Sequence, residues 1–310
     1  MAGFALHQSA FDHADHLSGP DGAAAKRSEP RRMLRSTRVA TWIAVVILGL
    51  IARFKPRAAR GIVAVAIGTL GIAHGATDDA TLERVGFRPR GGRVTISLVY
   101  GSIAIVTFLL ARRAPKLAAR ALFVLSWFHF GRGDANFARA CGSYADANFE
   151  ALVRGAIPLF IAGDDVRSRV TASATVACAA RHALAGRYAD AADLALPTGL
   201  LLAIAPRLGF GIYFGAWHSV RHTVLLLERD SRGGNARVRW QRFARESLPN
   251  VAIALGVGAL AYALSRAGDK PSFATMDDAE NEAIAGALIL AITVPHEIAV
   301  GIIERRARLA

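Results

Sequence analysis

Two histidines four residues apart, His218 and His222, have the spacing in this sequence that most directly allows shared chemistry. They stand in the segment GAWHSVRH at the end of a long apolar run, Leu194 to Val220. Such a run predicts a helix, and residues four apart lie on one helical face, so both imidazoles project to the same side. Two imidazoles at this spacing can share one metal ion, and iron, zinc, copper and nickel all accept imidazole. Two interfacial histidines bound to backbone or lipid headgroups are the alternative.

His74 is a third candidate ligand and stands at the end of an earlier apolar run, in the sequence GIAHGATDD. Asp78 follows four residues later, so a helix that continues through both residues brings the carboxylate to the same face. A carboxylate that accepts the second ring N–H of a metal-bound histidine fixes its tautomer and orientation. The alternative is an interfacial histidine, with Asp78 capping the next helix. Gly71 and Gly75 permit close backbone approach under either interpretation.

His129 and His296 occupy similar positions in two further apolar runs. His129 lies in WFHFGRGD, with Asp134 close behind it, and an aromatic-flanked histidine can also be an interfacial anchor. His296 follows Pro295 and precedes Glu297 inside the last apolar run, where ionisable side chains are costly unless they are paired or line a cavity. For His296 three roles are open: a fifth ligand, a group that supports a ligand, or a wall of a substrate pocket.

The composition predicts the fold class. The chain has 310 residues, of which 53% are hydrophobic, and a mean hydropathy of +0.32. This profile is typical of a membrane protein, and the length allows about seven to nine transmembrane or buried helices. We therefore predict an all-α, polytopic membrane helix bundle. The run at 194–220 is expected to break or kink near Pro206.

Charge and cysteine usage narrow the functional classes. The net charge is +14, but the arginines fall mostly between apolar segments, where they anchor loops to lipid headgroups, and few aromatics are present to stack on bases. Nucleic-acid binding is therefore excluded. Cys141 and Cys178 form no Cys-x-x-Cys pair, so no redox motif, zinc ribbon or disulfide framework is indicated. Cys178, in an alanine-rich run, is expected to be an inert small hydrophobe.

The N-terminal region differs in composition from the rest of the chain. Residues 1–38 are polar and end in a basic cluster, which predicts a disordered basic tail on the cytoplasmic side. Residues 39–310 are predicted to form a single transmembrane helical domain. His182 has no acidic neighbour and is expected near a helix end, without a role in metal binding.

Several histidine-bearing segments that meet in one bundle would provide what a buried metal ion needs. Taken in order, the segments also resemble the Brp/Blh family of membrane β-carotene 15,15'-dioxygenases, over about residues 71–303. The matching pieces are GIAHGATD around His74, HFGRGD from His129, WHSVRH from Trp217, and Pro295-His296. One departure is Ala73, since the family usually has proline before its first histidine.

The resemblance implies a multi-helix enzyme of the bacterial inner membrane that holds Fe(II) and splits the central double bond of β-carotene with O2 into two molecules of retinal. Its partners would be the carotenoid, O2 and the lipid bilayer. The implied iron ligands are His74, His129, His218 and His222. Asp78, Asp134 and His296 are expected to lie beside those ligands, the two carboxylates adding negative charge near the iron.

Seven aromatic residues near the histidines can line an apolar tunnel or simply pack the helices; they are Trp127, Phe128, Phe130, Phe210, Tyr213, Phe214 and Trp217. Three other functions compete with the oxygenase. An ion or proton transporter can use intramembrane His and Asp side chains as a relay. A bis-histidine haem protein needs only two of the histidines. A di-iron desaturase calls for more clustered histidines than this chain has.

Overall fold

The computed structural model describes residues 20–143, 147–160, 166–230, 232–267 and 278–307, and within them every regular element is helical. The all-α prediction is therefore confirmed. The α-helices are α1 (Pro20–Phe54), α2 (Pro56–Ala66), α3 (Asp78–Arg84), α4 (Gly92–Arg113), α5 (Pro115–Ala140), α6 (Ala147–Phe160), α7 (Val166–Leu184), α8 (Tyr188–Ala203), α9 (Pro206–Ile212), α10 (Ser219–Glu228), α11 (Ala236–Ala267) and α12 (Asp278–Ala307). Two π-helical segments, Ile67–Gly71 and Tyr213–His218, follow α2 and α9.

In the described part of the chain, three helical segments are long and apolar enough to cross a membrane: Arg32–Phe54, Gly92–Arg113 and Ala287–Arg306. In α4, large apolar side chains such as Val94 and Leu98 are more than half exposed. An apolar surface of this kind is typical of contact with lipid. The predicted seven to nine crossings are not confirmed, because several of the remaining helices are short or interrupted. The expected break near Pro206 is confirmed, since α8 ends at Ala203 and Pro206 opens α9.

The first helix begins earlier than the sequence predicts. Helix α1 starts at Pro20 rather than at the apolar run from Val39, and Leu34 and Arg38 are already buried within it. Arg38, the last residue of the predicted tail, is thus helical and buried, because it pairs with Asp190 and Asp193 on α8, far from it in sequence. Residues 1–19 lie outside the described residues. Their disorder and the division at residue 38 stay predictions.

The centre of the bundle is formed by α5, α10, α12 and the two π-helical segments. Helix α12 packs against α4 and α5, while α5 also packs closely on α6, and α1 covers α8 and α10. Cys178 lies in an apolar cluster with Leu194 and Leu201, as expected of a small hydrophobe. Both cysteine thiols are free.

Each π-helical segment stands next to a histidine in sequence: the first ends three residues before His74, and the second ends at His218. The wide π turn is frequent at functional sites because it inserts an extra residue and redirects the side chains that follow. Here the two segments lie against each other, and a Cβ atom at Gly215 would lie 3.0 Å from the Cβ of Ala66. The chain turns at residues 74–77 before α3 begins at Asp78, so no continuous helix carries His74 and Asp78 on one face, and Asp78 stands in the first turn of the next helix.

The crossing of α5 and α6 depends on two glycines. A Cβ atom at Gly155 would lie 2.0 Å from the carbonyl oxygen of Trp127, and one at Gly131 would lie 2.0 Å from that of Ala151. Neither backbone oxygen can move aside as a flexible side chain can. The two helices can therefore approach this closely only with glycine at both positions.

We expect Gly155→Ala to lower the thermal unfolding midpoint of the detergent-solubilised protein, because overpacking of this kind costs about 1–3 kcal/mol. Gly101→Ala in α4 is the matched control, since nothing lies within 4 Å of its Cβ position. Alanine favours a helix over glycine, so the control should unfold at the same or a slightly higher temperature. Equal unfolding midpoints for the two variants would contradict this account of the crossing.

Candidate metal centre

Five imidazoles from four separate segments of the chain meet in the middle of the bundle. Their ring centroids are 4.7–6.0 Å apart in the pairs that contact one another. All of these rings are buried except that of His222, which is half-buried. The five residues are His74, His129, His218, His222 and His296. The structure thus brings together all four histidines that the sequence suggested as ligands, and adds His296 to them.

His296 on α12 is held by the carboxylate of Asp78 at the start of α3. Its Nδ1 lies 2.7 Å from Asp78 Oδ2, although the two residues are 218 positions apart in sequence. Asp78 thus contacts His296 rather than His74, because the turn at residues 74–77 redirects the chain and α12 brings a different imidazole to this carboxylate. Gly75 makes room for the ring, since a Cβ there would lie 3.2 Å from His296 Nδ1.

His129 on α5 contacts a second carboxylate, that of Glu297 on α12. The contact joins His129 Nδ1 and Glu297 Oε1, and the other carboxylate oxygen accepts a hydrogen bond of 2.8 Å from Arg132 Nη2. Glu297 stands directly after His296, so adjacent residues of α12 hold or supply two imidazoles of the cluster. The sequence predicted only that Glu297 is a buried acid that needs a partner. The structure identifies His129 as that partner.

His218 has a third carboxylate beside it. Asp134 Oδ1 lies 3.4 Å from His218 Nδ1, while Asp134 Oδ2 accepts hydrogen bonds of 3.0 Å from both Tyr213 Oη and Trp217 Nε1. Asp134 therefore lies next to His218, one of the candidate ligands. Gly133 allows the approach, because a Cβ there would lie 2.7 Å from His218 Cε1.

These carboxylates determine which ring nitrogen points inward. A carboxylate next to Nδ1 favours the tautomer that carries its proton there, which leaves a lone pair on Nε2. His129 Nε2 and His218 Nε2 lie 2.9 Å apart, and His296 Nε2 is buried without a protein partner. Two lone pairs that face each other at this distance repel unless a cation or a proton lies between them.

The spacing of these nitrogens suits a metal ion. Two nitrogens that are each about 2.1 Å from one ion and about 90° apart are about 3 Å from each other, which matches the His129–His218 distance. His74, His129 and His296 also offer ligand atoms that all lie within 4.8 Å of one another. The cluster can therefore hold a metal ion, and the ligand atoms of His74, His129 and His296 form the group that could surround it.

The aromatic residues near the cluster divide into two groups. Phe214 meets the ring of His74 edge-on at a centroid distance of 5.7 Å, and Phe130 meets that of His218 at 4.8 Å. Phe210 is stacked parallel to Phe214 at 6.2 Å and continues this apolar wall. These three residues form an apolar wall beside the imidazoles, within the core cluster that also contains Ile212 and Val63.

The other aromatic residues have structural contacts instead. Tyr213 and Trp217 are fully buried and donate hydrogen bonds to Asp134. Trp127 donates to the carbonyl oxygen of Leu152 on α6 and packs on Phe123 and Phe160. Phe128 is 54% exposed on the outer surface of α5.

A small cavity of about 20 Å³ reaches the cluster from the side of α5, α10 and α12, with space for one or two water molecules. His129, His222 and Asp78 line it together with apolar side chains such as Leu225 and Ile303. Its other polar lining residues are Arg132, Asn136, Arg229 and Glu304.

His182 lies outside the cluster. It stands near the C-terminal end of α7, as predicted, but it has an acidic partner from another helix. It is fully buried, and its Nε2 lies 2.5 Å from Oε1 of Glu150, which also pairs with Arg154 and Arg181. The i, i+4 pair Glu150–Arg154 in an apolar helix was the available signal for this buried charge cluster.

Comparison of this chain with known proteins identifies related sequences. A curated relative from Halobacterium salinarum, named probable β-carotene 15,15'-dioxygenase Blh, is 25% identical over 75% of this chain and 83% of its own length. No solved structure matches. The family model for β-carotene 15,15'-dioxygenase matches residues 65–163 and 165–304, which include all five clustered histidines and the three carboxylates beside them. The chain belongs to the β-carotene 15,15'-dioxygenase family.

Proposed function

We propose that this chain is a membrane-bound, non-haem iron dioxygenase that cleaves the central 15,15' double bond of β-carotene with O2 to give two molecules of all-trans-retinal. The observation that carries the proposal is the convergence of buried imidazole nitrogens in a chain of this family. His129 Nε2 and His218 Nε2 face each other at 2.9 Å, each with its Nδ1 beside a carboxylate. Membership in the family supports the substrate and the products.

The donor set fits Fe(II). Imidazole is a ligand that iron accepts readily, and no thiolate lies in the cluster to favour a softer metal. Proposed ligands are His74, His129, His218 and His222. His296 is a further candidate, because its Nε2 is buried without a partner and lies in the same group of ligand atoms.

The carboxylates around the cluster supply charge that neutral imidazoles lack. Asp78, Asp134 and Glu297 place three carboxylates against ring nitrogens, and Arg132 neutralises part of the charge of Glu297. Negative charge in contact with the ligands, rather than with the ion, favours a bound divalent cation and raises the basicity of the imidazoles. When bound, iron supplies the O2 chemistry that amino-acid side chains lack.

The apolar wall suits a polyene. Phe214 and Phe210 present parallel rings, 6.2 Å between centroids, at the edge of the cluster formed by His74. A flat conjugated chain can lie against such rings with its central double bond at the imidazoles. The role of the protein in this arrangement is to orient the polyene and to exclude bulk water from the reacting bond.

We also propose that the chain is a multi-pass protein of the bacterial inner membrane with its N-terminus in the cytoplasm. The three apolar helices support the membrane location. Arg32 and Arg35, which are exposed on α1 just before its apolar part, support the orientation, because positive charge flanking a span is retained on the cytoplasmic side.

Expression of this chain in bacteria that accumulate β-carotene should bleach their colour and produce retinal, because central cleavage removes the long chromophore. Extraction of the pigments and chromatography with mass detection provide the measurement. Cells that express folded, membrane-inserted protein with bound metal yet keep their carotene would contradict the proposed substrate. A metal-free protein that dissipates an ion gradient would favour the transporter instead.

Purified His129→Ala protein should retain less than about a tenth of the wild-type iron, because its imidazole makes the shortest nitrogen–nitrogen contact of the cluster. His182→Ala is the matched control, a buried histidine that also pairs with a carboxylate. It should lose stability but keep its iron, as measured by elemental analysis. Wild-type iron content in the His129 variant would remove this residue from the ligand set.

Asp78→Asn should weaken Fe(II) binding about 10–100-fold, because an amide cannot supply the charge that orients His296. Glu150→Gln makes the same kind of change beside His182, away from the cluster, and should leave the Kd for Fe(II) unchanged. Anaerobic titration of metal-free protein measures both values. If the two substitutions have equal effects, general destabilisation rather than the orientation of His296 explains the loss.

A further inference from the structure

Arg221 is the most deeply buried cation next to the cluster, and it contacts none of the clustered imidazoles. Its residue is 1% exposed, and its guanidinium carbon lies 3.4 Å from the centroid of the Trp217 ring and 4.7 Å from that of Phe137. Nε donates to Thr41 Oγ1 at 3.0 Å, and Nη2 donates to Asp193 Oδ1 at 2.8 Å. The planar group is therefore held flat against an indole by two hydrogen bonds.

Asp193 belongs to an ion network that joins three helices. Its Oδ2 accepts a hydrogen bond of 2.9 Å from Arg38 on α1, and its Oδ1 accepts one of 2.7 Å from Trp42. Arg38 also pairs with Asp190 at 2.5 Å, one turn earlier on α8. With Arg221 on α10, this network contains two buried cations and two buried carboxylates, so no charge in it is left uncompensated.

Trp217, on which Arg221 stacks, is linked to the candidate metal centre by one carboxylate, that of Asp134. Trp217 Nε1 and Tyr213 Oη both donate to Asp134 Oδ2 at 3.0 Å, which leaves Oδ1 toward His218 Nδ1 at 3.4 Å. Trp217 and Arg221 are four residues apart, so they lie on one face of the chain. The indole N–H thus helps the Tyr213 hydroxyl to hold Oδ2, and Oδ1 is the oxygen that faces His218.

We propose that Arg221 is a positioning residue for the metal centre, and that it fixes Trp217 and, through it, the Asp134 carboxylate that orients His218. Arginine is required because its guanidinium stacks on the indole and donates through two nitrogens at once, whereas the ammonium of lysine can do neither. The inference rests on the proposed function only in that a metal ion binds at His218.

The test is anaerobic titration of metal-free protein with Fe(II), together with the absorption spectrum of the Co(II)-loaded protein. Arg221→Lys keeps the charge and should raise the Kd for Fe(II) about 10–100-fold, with a Co(II) spectrum shifted in the same way as that of Asp134→Asn. The matched control is Arg181→Lys, which alters a half-exposed arginine paired with Glu150. It should change neither the Kd nor the spectrum.

A double-mutant cycle tests the route. If Arg221 acts through Asp134, the double variant Arg221→Lys/Asp134→Asn should bind Fe(II) as tightly as Asp134→Asn alone, within about twofold. Fully additive losses, or an unchanged Kd in Arg221→Lys, would overturn the inference. Wild-type protein that binds no metal would instead refute the proposed function.

Trp217→Phe provides an independent check if Arg221→Lys does not fold. Phenylalanine keeps an aromatic face beneath the guanidinium but lacks the N–H that donates to Asp134. We expect it to fold and to raise the Kd for Fe(II) by a factor similar to that of Asp134→Asn. A folded Trp217→Phe protein with wild-type affinity and spectrum would refute the route through the indole.

Discussion

The candidate metal centre depends on imidazole–carboxylate pairing inside the bundle. Asp78, Asp134 and Glu297 each lie against the Nδ1 of one histidine. A buried carboxylate without a partner is costly, and so is a buried imidazole whose two nitrogens are both unsatisfied. Pairing reduces both costs and at the same time leaves Nε2 as the nitrogen that faces the centre. The same contacts therefore stabilise the fold and orient the proposed ligands.

Close backbone approach makes this pairing possible. The imidazoles of His218 and His296 lie where a side chain on Gly133 or Gly75 would stand, and α5 meets α6 at glycines on both sides. The π-helical segments contribute in a different way, because they redirect the chain just before His74 and within the turn that ends at His218. Small residues and irregular turns thus supply the space that five rings in one place require.

The surroundings of the imidazole cluster differ in polarity. The rings of Phe214 and Phe210 form an apolar surface beside His74, while a small cavity with both polar and apolar lining passes Arg132 and Glu304. Farther from the imidazoles, Asp193 accepts a hydrogen bond from Arg221, whose guanidinium lies against the ring of Trp217.

Much of this protein is determined by local pattern. Long apolar runs predict helices, and the spacing of His218 and His222 places both rings on one side of the chain whichever helices lie opposite. The histidine motifs indicated the family and the four candidate ligands. Partners far apart in sequence could not be predicted in the same way, because helix packing decides them. Asp78 contacts His296 rather than His74, Arg38 is buried by α8, and His182 meets Glu150. A histidine and a carboxylate each pair equally well with many partners, and only the tertiary structure brings one of them within hydrogen-bonding distance.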